Sequence, residues 1–465
     1  MMAAMSLAAL RQNLRRPHGF EPLEVEGTMP ADLRGTLYRA GPGVFERFGV
    51  AVPHPFEADG VITAVRFDAT ARGAARVVES AGWREEEQAG RRLYGAGAGR
   101  LRNVIGMLRQ RSKNTANTSA WLHDGALYAL MEGARPTRLD PDTLAVLGEQ
   151  DFEGVLGATF SAHPHRVASL QTSFNFGVRY GREHALDVYA LPEGGKVRKL
   201  TSVALPWAAM VHDFVATDRH LVFVVCPARV MILRALLGTS DFERLLEWEP
   251  ERGVELIVVP LANPEAVVRI PAEPFWVWHF ANAFEQGDEI VIDLCRYADF
   301  GSLGRIRTGT GVNVSSASEP AKPFYTRLRI DVRSKRTRED AQLGTTPAEF
   351  PRVHPSREGA PHRYAFIHAG PEGERDAIGV LDVETGALES WRAPEPTAFS
   401  EPVPVVRGRS DDERDVWLLT LGLDAARERS CVAVFDGRDV AQGPVARAWF
   451  DHPIPLTFHG TFVPA

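Results

Sequence analysis

A chain of 465 residues, 44% hydrophobic and 24% charged, can bury a large core and has the composition of an ordinary globular protein. Its 60 acids against 53 bases leave a formal charge of −7, which argues against a nucleic-acid binder that relies on a general basic field. Cys226, Cys295 and Cys431 are too few and too scattered for a disulfide frame or a zinc motif, so a reducing cytoplasm is the expected compartment. The opening MMAAMSLAALRQNLRRPHGF lacks the order of an export signal, and no stretch has the uncharged length of a bilayer span.

Along the chain helical periodicity is scarce and one unit recurs: a β-branched or aromatic run, a tight polar turn, and a return run. It is met in AVRFDATARGAARVVES, TRLDPDTLAVLGE, LDVYALPEGGKVRKL, LIVVPLANPEAVVRIP, RLRIDVRSKRTRED, IGVLDVETGALESW and VAVFDGRDVAQGPVARAW. The turns open near Asp68, Asp140, Ala190, Pro260, Asp331, Asp382 and Asp436, at intervals of 50 to 72 residues with no linker between them. A sandwich or two separate β domains would not space hairpins so evenly. The spacing predicts an all-β fold, a seven-bladed β-propeller formed by residues 1–465 as one domain. The aspartates at the turns have their own explanation, since Asp caps turns through its side chain.

Two stretches break the pattern, near 95–112 and 224–250. The first holds LRNVIGMLRQR, with Leu101, Val104, Ile105 and Leu108 at helical spacing; the second is VVCPARVMILRALLGTSDFERLLEW, apolar but punctuated by Arg229, Arg234 and Arg244. Both fit either a dome packed on the propeller or interfacial helices that dip into a membrane surface.

Four histidines stand beside apolar runs. His163 lies in ATFSAHPHRVASLQTSF, His212 in AAMVHDFVATDRHLVFVV, His279 in FWVWHFANAFEQGD and His459 in LTFHGTFVPA. A single buried histidine is ordinarily a core residue with backbone partners. Here, however, the first three precede the hairpins near Ala190, Pro260 and Asp331, where the innermost strands of three blades belong. His459 follows the last hairpin, on a strand placed to close the ring. Innermost strands surround the axis, and four neutral imidazoles meeting there would suit a first-row transition metal. The aromatic neighbours Phe160, Trp207, Phe275, Trp276, Trp278 and Phe280 read first as core, and otherwise as the wall of an apolar tunnel. The remaining histidines read as ordinary core or surface residues.

These pieces together resemble the carotenoid cleavage oxygenase family over nearly the whole chain. The resemblance rests on LYRAGPGVFE, HPFEADGVITAVRF, KNTANTSAWLHDGALYALMEG, SAHPHR, VHDFVATDRHLVF, WHFANAFEQGDEIVIDL, AEFPRVHP, HRYAF, FSEPVPV and FHGTFVP, in family order. One departure is FEADG at Phe56–Gly60, where the family commonly has Phe-Asp-Gly-Asp-Gly; no ligand is affected. The resemblance implies a seven-bladed propeller with one Fe(II) held by His163, His212, His279 and His459. It also implies that Glu132, Glu349 and Glu401 accept the second ring N–H of three ligands, which fixes tautomer and orientation. Thr118 matches a family threonine near an open iron position. The implied reaction uses O₂ as co-substrate to split an alkene into two carbonyl products, without an organic cofactor. The substrate would be an apolar polyene, taken up through peripheral membrane contact.

Members that cleave hydroxylated stilbenes carry a lysine just before the first of these glutamates and a tyrosine upstream. The corresponding residues here are Met131 and, by a looser alignment, Leu101. That pattern favours an apocarotenoid or carotenoid over a stilbene. A metal-free binding scaffold would have no use for the His and Glu set, and a calcium-dependent propeller hydrolase would present oxygens instead.

Overall fold

The computed structural model describes residues 12–52, 54–68, 70–95, 113–232, 234, 243–302, 321–339, 342–370, 376–395, 397–408, 411–455 and 457–465. Seven antiparallel sheets of four to six strands stand around a central axis as the blades of a propeller, as the hairpin spacing predicts. The third, fourth, fifth and sixth blades have the plainest form, with strands in chain order from the axis outward. Their innermost strands are His165–Val167, Phe214–Ala216, Trp276–Gln286 and Ala348–Val353.

Middle strands such as His220–Val225 and Val254–Pro260 read as nearly unbroken apolar runs because neighbouring blades cover both of their faces. Apolar side chains accordingly form one cluster at each of the seven blade interfaces. Between the third and fourth blades, for example, Phe176, Phe214 and Phe223 meet, with the last two rings stacked at 5.2 Å.

The ring is closed twice. Strand Gly460–Pro464 pairs with Gly35–Val44 in the first blade, from Gly35 opposite Pro464 to Arg39 opposite Gly460. Strand Glu24–Gly27 pairs with Pro444–Trp449, on the outer edge of the last blade. Each end of the chain thus completes a blade built mainly from the other.

Six hairpin turns fall where expected. The third opens later, at Glu193, because Ala190 is still paired on both sides, with Phe174 and with Arg198. The described part of the second interruption holds a strand pair. Residues 224 and 225 finish strand His220–Val225, and Ala228–Val230 pairs with Leu246–Trp248 as a two-stranded ribbon. Residues 233 and 235–242 of that stretch, and 96–112 of the first, lie outside the described residues, Leu101, Val104, Ile105 and Leu108 included.

Helix Ala81–Ala89, capped by the Ser80 side chain, sends Glu86 into a buried ion cluster. There Glu86 and Asp59 meet Lys113 at 2.7 and 2.5 Å, together with Arg47 and Arg92. Buried carboxylates persist only when paired in this way.

Candidate metal centre

Four separate segments deliver the histidines. His163 and His212 each sit two residues before the innermost strand of the third and fourth blades, His279 is within the innermost strand of the fifth, and His459 directly precedes the closing strand. Around His279 the ladder to strand Glu289–Tyr297 slips twice, between Val277 and Phe280 and between Phe280 and Asn282. Such bulges re-aim a side chain that regular pleating would turn elsewhere. One ligand nitrogen from each of the four histidines lies within 4.8 Å of all the others. The Nε2 atoms of His163 and His212 are 3.1 Å apart.

The outward nitrogens have carboxylate partners. Nδ1 of His279 is 2.6 Å from Glu349 Oε2, Nδ1 of His459 is 3.0 Å from Glu401 Oε1, and Nδ1 of His212 lies against Glu132. This leaves Nε2 of those three rings for the centre. Among the described residues His163 has no glutamate partner; its nearest carboxylate is Asp213, 4.0 Å from Nδ1. Asp213 in turn accepts from His165 Nε2 at 2.8 Å and from the Phe214 amide at 2.7 Å.

Burial, followed by the other ligand rings, holds His163 well below the ordinary imidazole pKa. Burial lowers His459 to about 4, with Glu401 opposing. For His279 burial also disfavours the cation, but Glu349 outweighs it and raises the pKa. Burial would lift Glu401, yet Arg352 and His459 hold it at about 2. The donor set facing the centre is thus all imidazole, with carboxylates one bond further out. That set fits a borderline first-row cation, whereas a calcium site calls for oxygen ligands.

The carboxylates are themselves held. Glu349 also accepts from Tyr297 Oη at 2.8 Å and from the Phe350 amide at 2.7 Å. Glu401 Oε2 accepts from the Gly460 amide at 3.1 Å. Thr118 is buried; its carbonyl accepts from the His459 amide at 3.1 Å and its hydroxyl donates to Asn117 Oδ1. Asn117 Nδ2 donates to the carbonyls of Pro55, Phe56 and Ala58. This ties the NTANTS and FEADG stretches together. Gly60 closes the same contact: a Cβ there would stand 2.2 Å from the Ala116 carbonyl oxygen, so no side chain fits.

The aromatic neighbours divide. Trp278 stands edge-on to His212 at 4.9 Å, with Phe300 and Phe56 beyond it, and Phe56 reaches Phe458 at 5.7 Å. Phe350 stacks on His279 at 4.7 Å and lies 5.3 Å from His459. Phe160 instead packs with Tyr128 and Tyr189 between the second and third blades, and Phe275, Trp276 and Phe280 belong to the core of the fourth and fifth. Trp207 packs, half-buried, against the cluster between the third and fourth blades. Sequence reasoning passed over Phe56, Phe300, Phe350 and Phe458 as site walls, and also Asp213, Tyr297 and Arg352. The AEFPR and VHDF stretches carried that signal, since each sets a further polar or aromatic residue beside a residue already singled out.

Comparison with known proteins completes the picture. The family model described as retinal pigment epithelial membrane protein matches residues 10–464. The chain is 31% identical over 461 residues to the apocarotenoid-15,15'-oxygenase of Synechocystis, covering 94% of this chain and 92% of that one. It is 28% identical over 470 residues to lignostilbene-alpha,beta-dioxygenase isozyme III of Sphingomonas paucimobilis, covering 95% and 94%. The crystal structure of the cobalt-substituted Synechocystis oxygenase superposes with a TM-score of 0.89 at 28% identity, over 99% of both chains. By fold, histidine set and sequence, the chain belongs to the retinal pigment epithelial membrane protein family, that of the carotenoid cleavage oxygenases.

Proposed function

We propose that this protein is a non-haem iron dioxygenase that splits a carbon–carbon double bond of an apocarotenoid or carotenoid, with one Fe(II) per chain and O₂ as co-substrate. The observation that carries the reading is the convergence of four imidazole nitrogens within 4.8 Å. His163, His212, His279 and His459 would hold the iron. When bound, ferrous iron supplies the open-shell chemistry by which O₂ can react with an alkene. Both oxygen atoms end in product, one on each new carbonyl, so no external reductant is needed.

The chain's own residues do the rest. Glu132, Glu349 and Glu401 keep a proton on Nδ1 of their histidines and so present Nε2 as a lone-pair donor in a fixed direction. Trp278 stands beside His212, and Phe56 packs beyond it against Phe458; these apolar surroundings exclude water and suit a polyene. Thr118 holds the backbone of His459 in register. The whole chain acts as one domain, since the strands that close the ring come from its two ends.

The substrate branch rests on Met131. It precedes Glu132 and offers a phenol no charge-assisted partner, and burying an unpartnered hydroxyl costs about 1–3 kcal/mol. A polyene asks for none. Expected is cleavage of an apocarotenal to shorter aldehydes with a much higher kcat/KM than for a 4-hydroxystilbene. A clear preference for the stilbene would overturn the branch.

Delivery of such a substrate would use transient contact with a membrane surface through the 224–250 stretch. No helix of the described residues is long and apolar enough to cross a membrane. Half-buried Met231 and Ile232 follow the ribbon strand Ala228–Val230. Changing Ile232 and Leu236 to Glu should reduce liposome binding and leave metal content unchanged; equal binding by variant and parent would refute membrane docking there.

A further inference from the structure

The three carboxylate–histidine pairs are not equivalent. Among the described residues, neither Glu132 nor Glu349 has a Lys or Arg ion pair, whereas Glu401 has Arg352 with Nη1 3.4 Å from Oε1. Glu401 Oε1 is also the atom that accepts from His459 Nδ1. The arginine therefore touches the carboxylate oxygen that faces a ligand.

The backbone explains how it gets there. Arg352 lies three residues after Glu349 on strand Ala348–Val353, and in regular pleating two residues three apart point to opposite faces. Here the register to strand Tyr364–Ala369 slips between Glu349 and Arg352, with Phe350 in the left-handed region at φ 49°. The slip lets Glu349 reach His279 while Arg352 reaches Glu401, and it lays the Phe350 ring against both histidines. A phenylalanine in that conformation costs energy, which the surrounding contacts must outweigh. Burial disfavours the charged guanidinium, but Glu401, with Glu358 behind it, outweighs this and keeps it protonated.

We propose that Arg352 is a positioning residue for the metal: it anchors Glu401 and tempers the pull of that carboxylate on the ring of His459. A carboxylate shared with a guanidinium is a weaker acceptor towards imidazole than a free one. His459 is then a less electron-rich ligand than His279, whose glutamate meets, among the described residues, no Lys or Arg. The four-nitrogen field is unequal by construction. The inference rests on the metal-binding reading above, and one experiment separates the two.

Metal-free parent, Arg352→Gln and Arg352→Lys proteins are titrated with Co(II) against a chelating dye, and the visible ligand-field bands are recorded. Loss of the anchor on Glu401 should outweigh the gain in His459 basicity, so the Gln variant should bind Co(II) about 10-fold more weakly and should show shifted bands. The Lys variant keeps the charge but loses the planar fork, so it should fall between parent and Gln in both readouts. A merely structural arginine would change the unfolding midpoint and leave the bands in place. Folded variants with the parent's affinity and spectrum would overturn the role of Arg352. If the Gln variant does not fold, the Lys variant alone decides by the same criterion. A parent that takes up no Co(II) would instead overturn the metal reading.

Discussion

Replacing Glu349 separates what that residue does for the fold from what it does for the metal. Its Oε2 accepts from His279 Nδ1 at 2.6 Å and from the Phe350 amide at 2.7 Å, and its Oε1 accepts from Tyr297 Oη at 2.8 Å. Alanine would take the carboxylate away from all three of these donors. At about 1–3 kcal/mol each this is roughly 3–9 kcal/mol, a large part of the 5–15 kcal/mol that holds a typical domain folded. Glutamine keeps one acceptor oxygen and turns an NH₂ group towards a remaining donor, so it should cost about 1–3 kcal/mol. In the Gln variant the proton on His279 Nδ1 also loses its charged acceptor, and metal affinity should fall by about 10–100-fold, or about 1.4–2.8 kcal/mol. Urea unfolding of the metal-free protein reads the first quantity, and metal titration against a competing chelator reads the second. A Glu349→Gln protein that binds metal as tightly as its parent would refute the idea that this carboxylate tunes its histidine.

Substituting any of His163, His212, His279 or His459 by Ala should abolish stoichiometric metal binding in a folded protein; a metal-replete, active His212→Ala variant would contradict the site. Deleting residues 458–465 should lower the urea midpoint well below that of His459→Ala, because a paired strand leaves with the ligand; equal midpoints would mean the strand contributes nothing. Tyr297→Phe removes one hydrogen bond to the Glu349 carboxylate and should cost about 1.5–3 kcal/mol in the same assay, so a loss as large as for Glu349→Ala would refute the ranking. The metal-free protein should lose stability on acidification. Between pH 6.5 and about 4 the unfolded chain takes up the His459 proton before the native one does, and between about 4.5 and 2 the same holds for Glu401. A midpoint that stays flat or rises from pH 6.5 to pH 4 would contradict the environment of His459, and one that does so from pH 4.5 to pH 2 that of Glu401.

The seven hairpins were legible because each consists of local signals, a run, a turn and a run. Boundaries were less so: Ala190 looked like the end of a strand that pairing with Phe174 and Arg198 carries on to Pro192. The four histidines were legible by their place relative to the hairpins, and the three glutamates only through family resemblance, since nothing local distinguishes a Glu beside Pro or Gly. Arg352, Tyr297 and Asp213 were not foreseen because their importance is tertiary. Arg352 faces the site only through a register slip at Phe350, and Tyr297 only because its strand runs beside that of His279. The strand pair Ala228–Val230 with Leu246–Trp248 was not foreseen within the apolar 224–250 stretch, because its two partners lie far apart in that stretch.

The double closure also bears on how the molecule assembles. Arg39 and Phe458, joined at 2.8 Å, are 419 residues apart in sequence. Bringing such distant points together costs about 5 kcal/mol of chain entropy on a logarithmic scaling, and it is a slow step in a fold of non-local pairings. The second clasp, between Glu24–Gly27 and the last blade, then comes nearly free, because the first has already drawn the ends together. Three of the four histidines lie on neighbouring blades and can approach one another in an open ring, but His459 arrives only when the first clasp fastens. A metal that engages all four therefore binds the fastened state in preference to the open one. By mass action its concentration sets how long the ring stays shut.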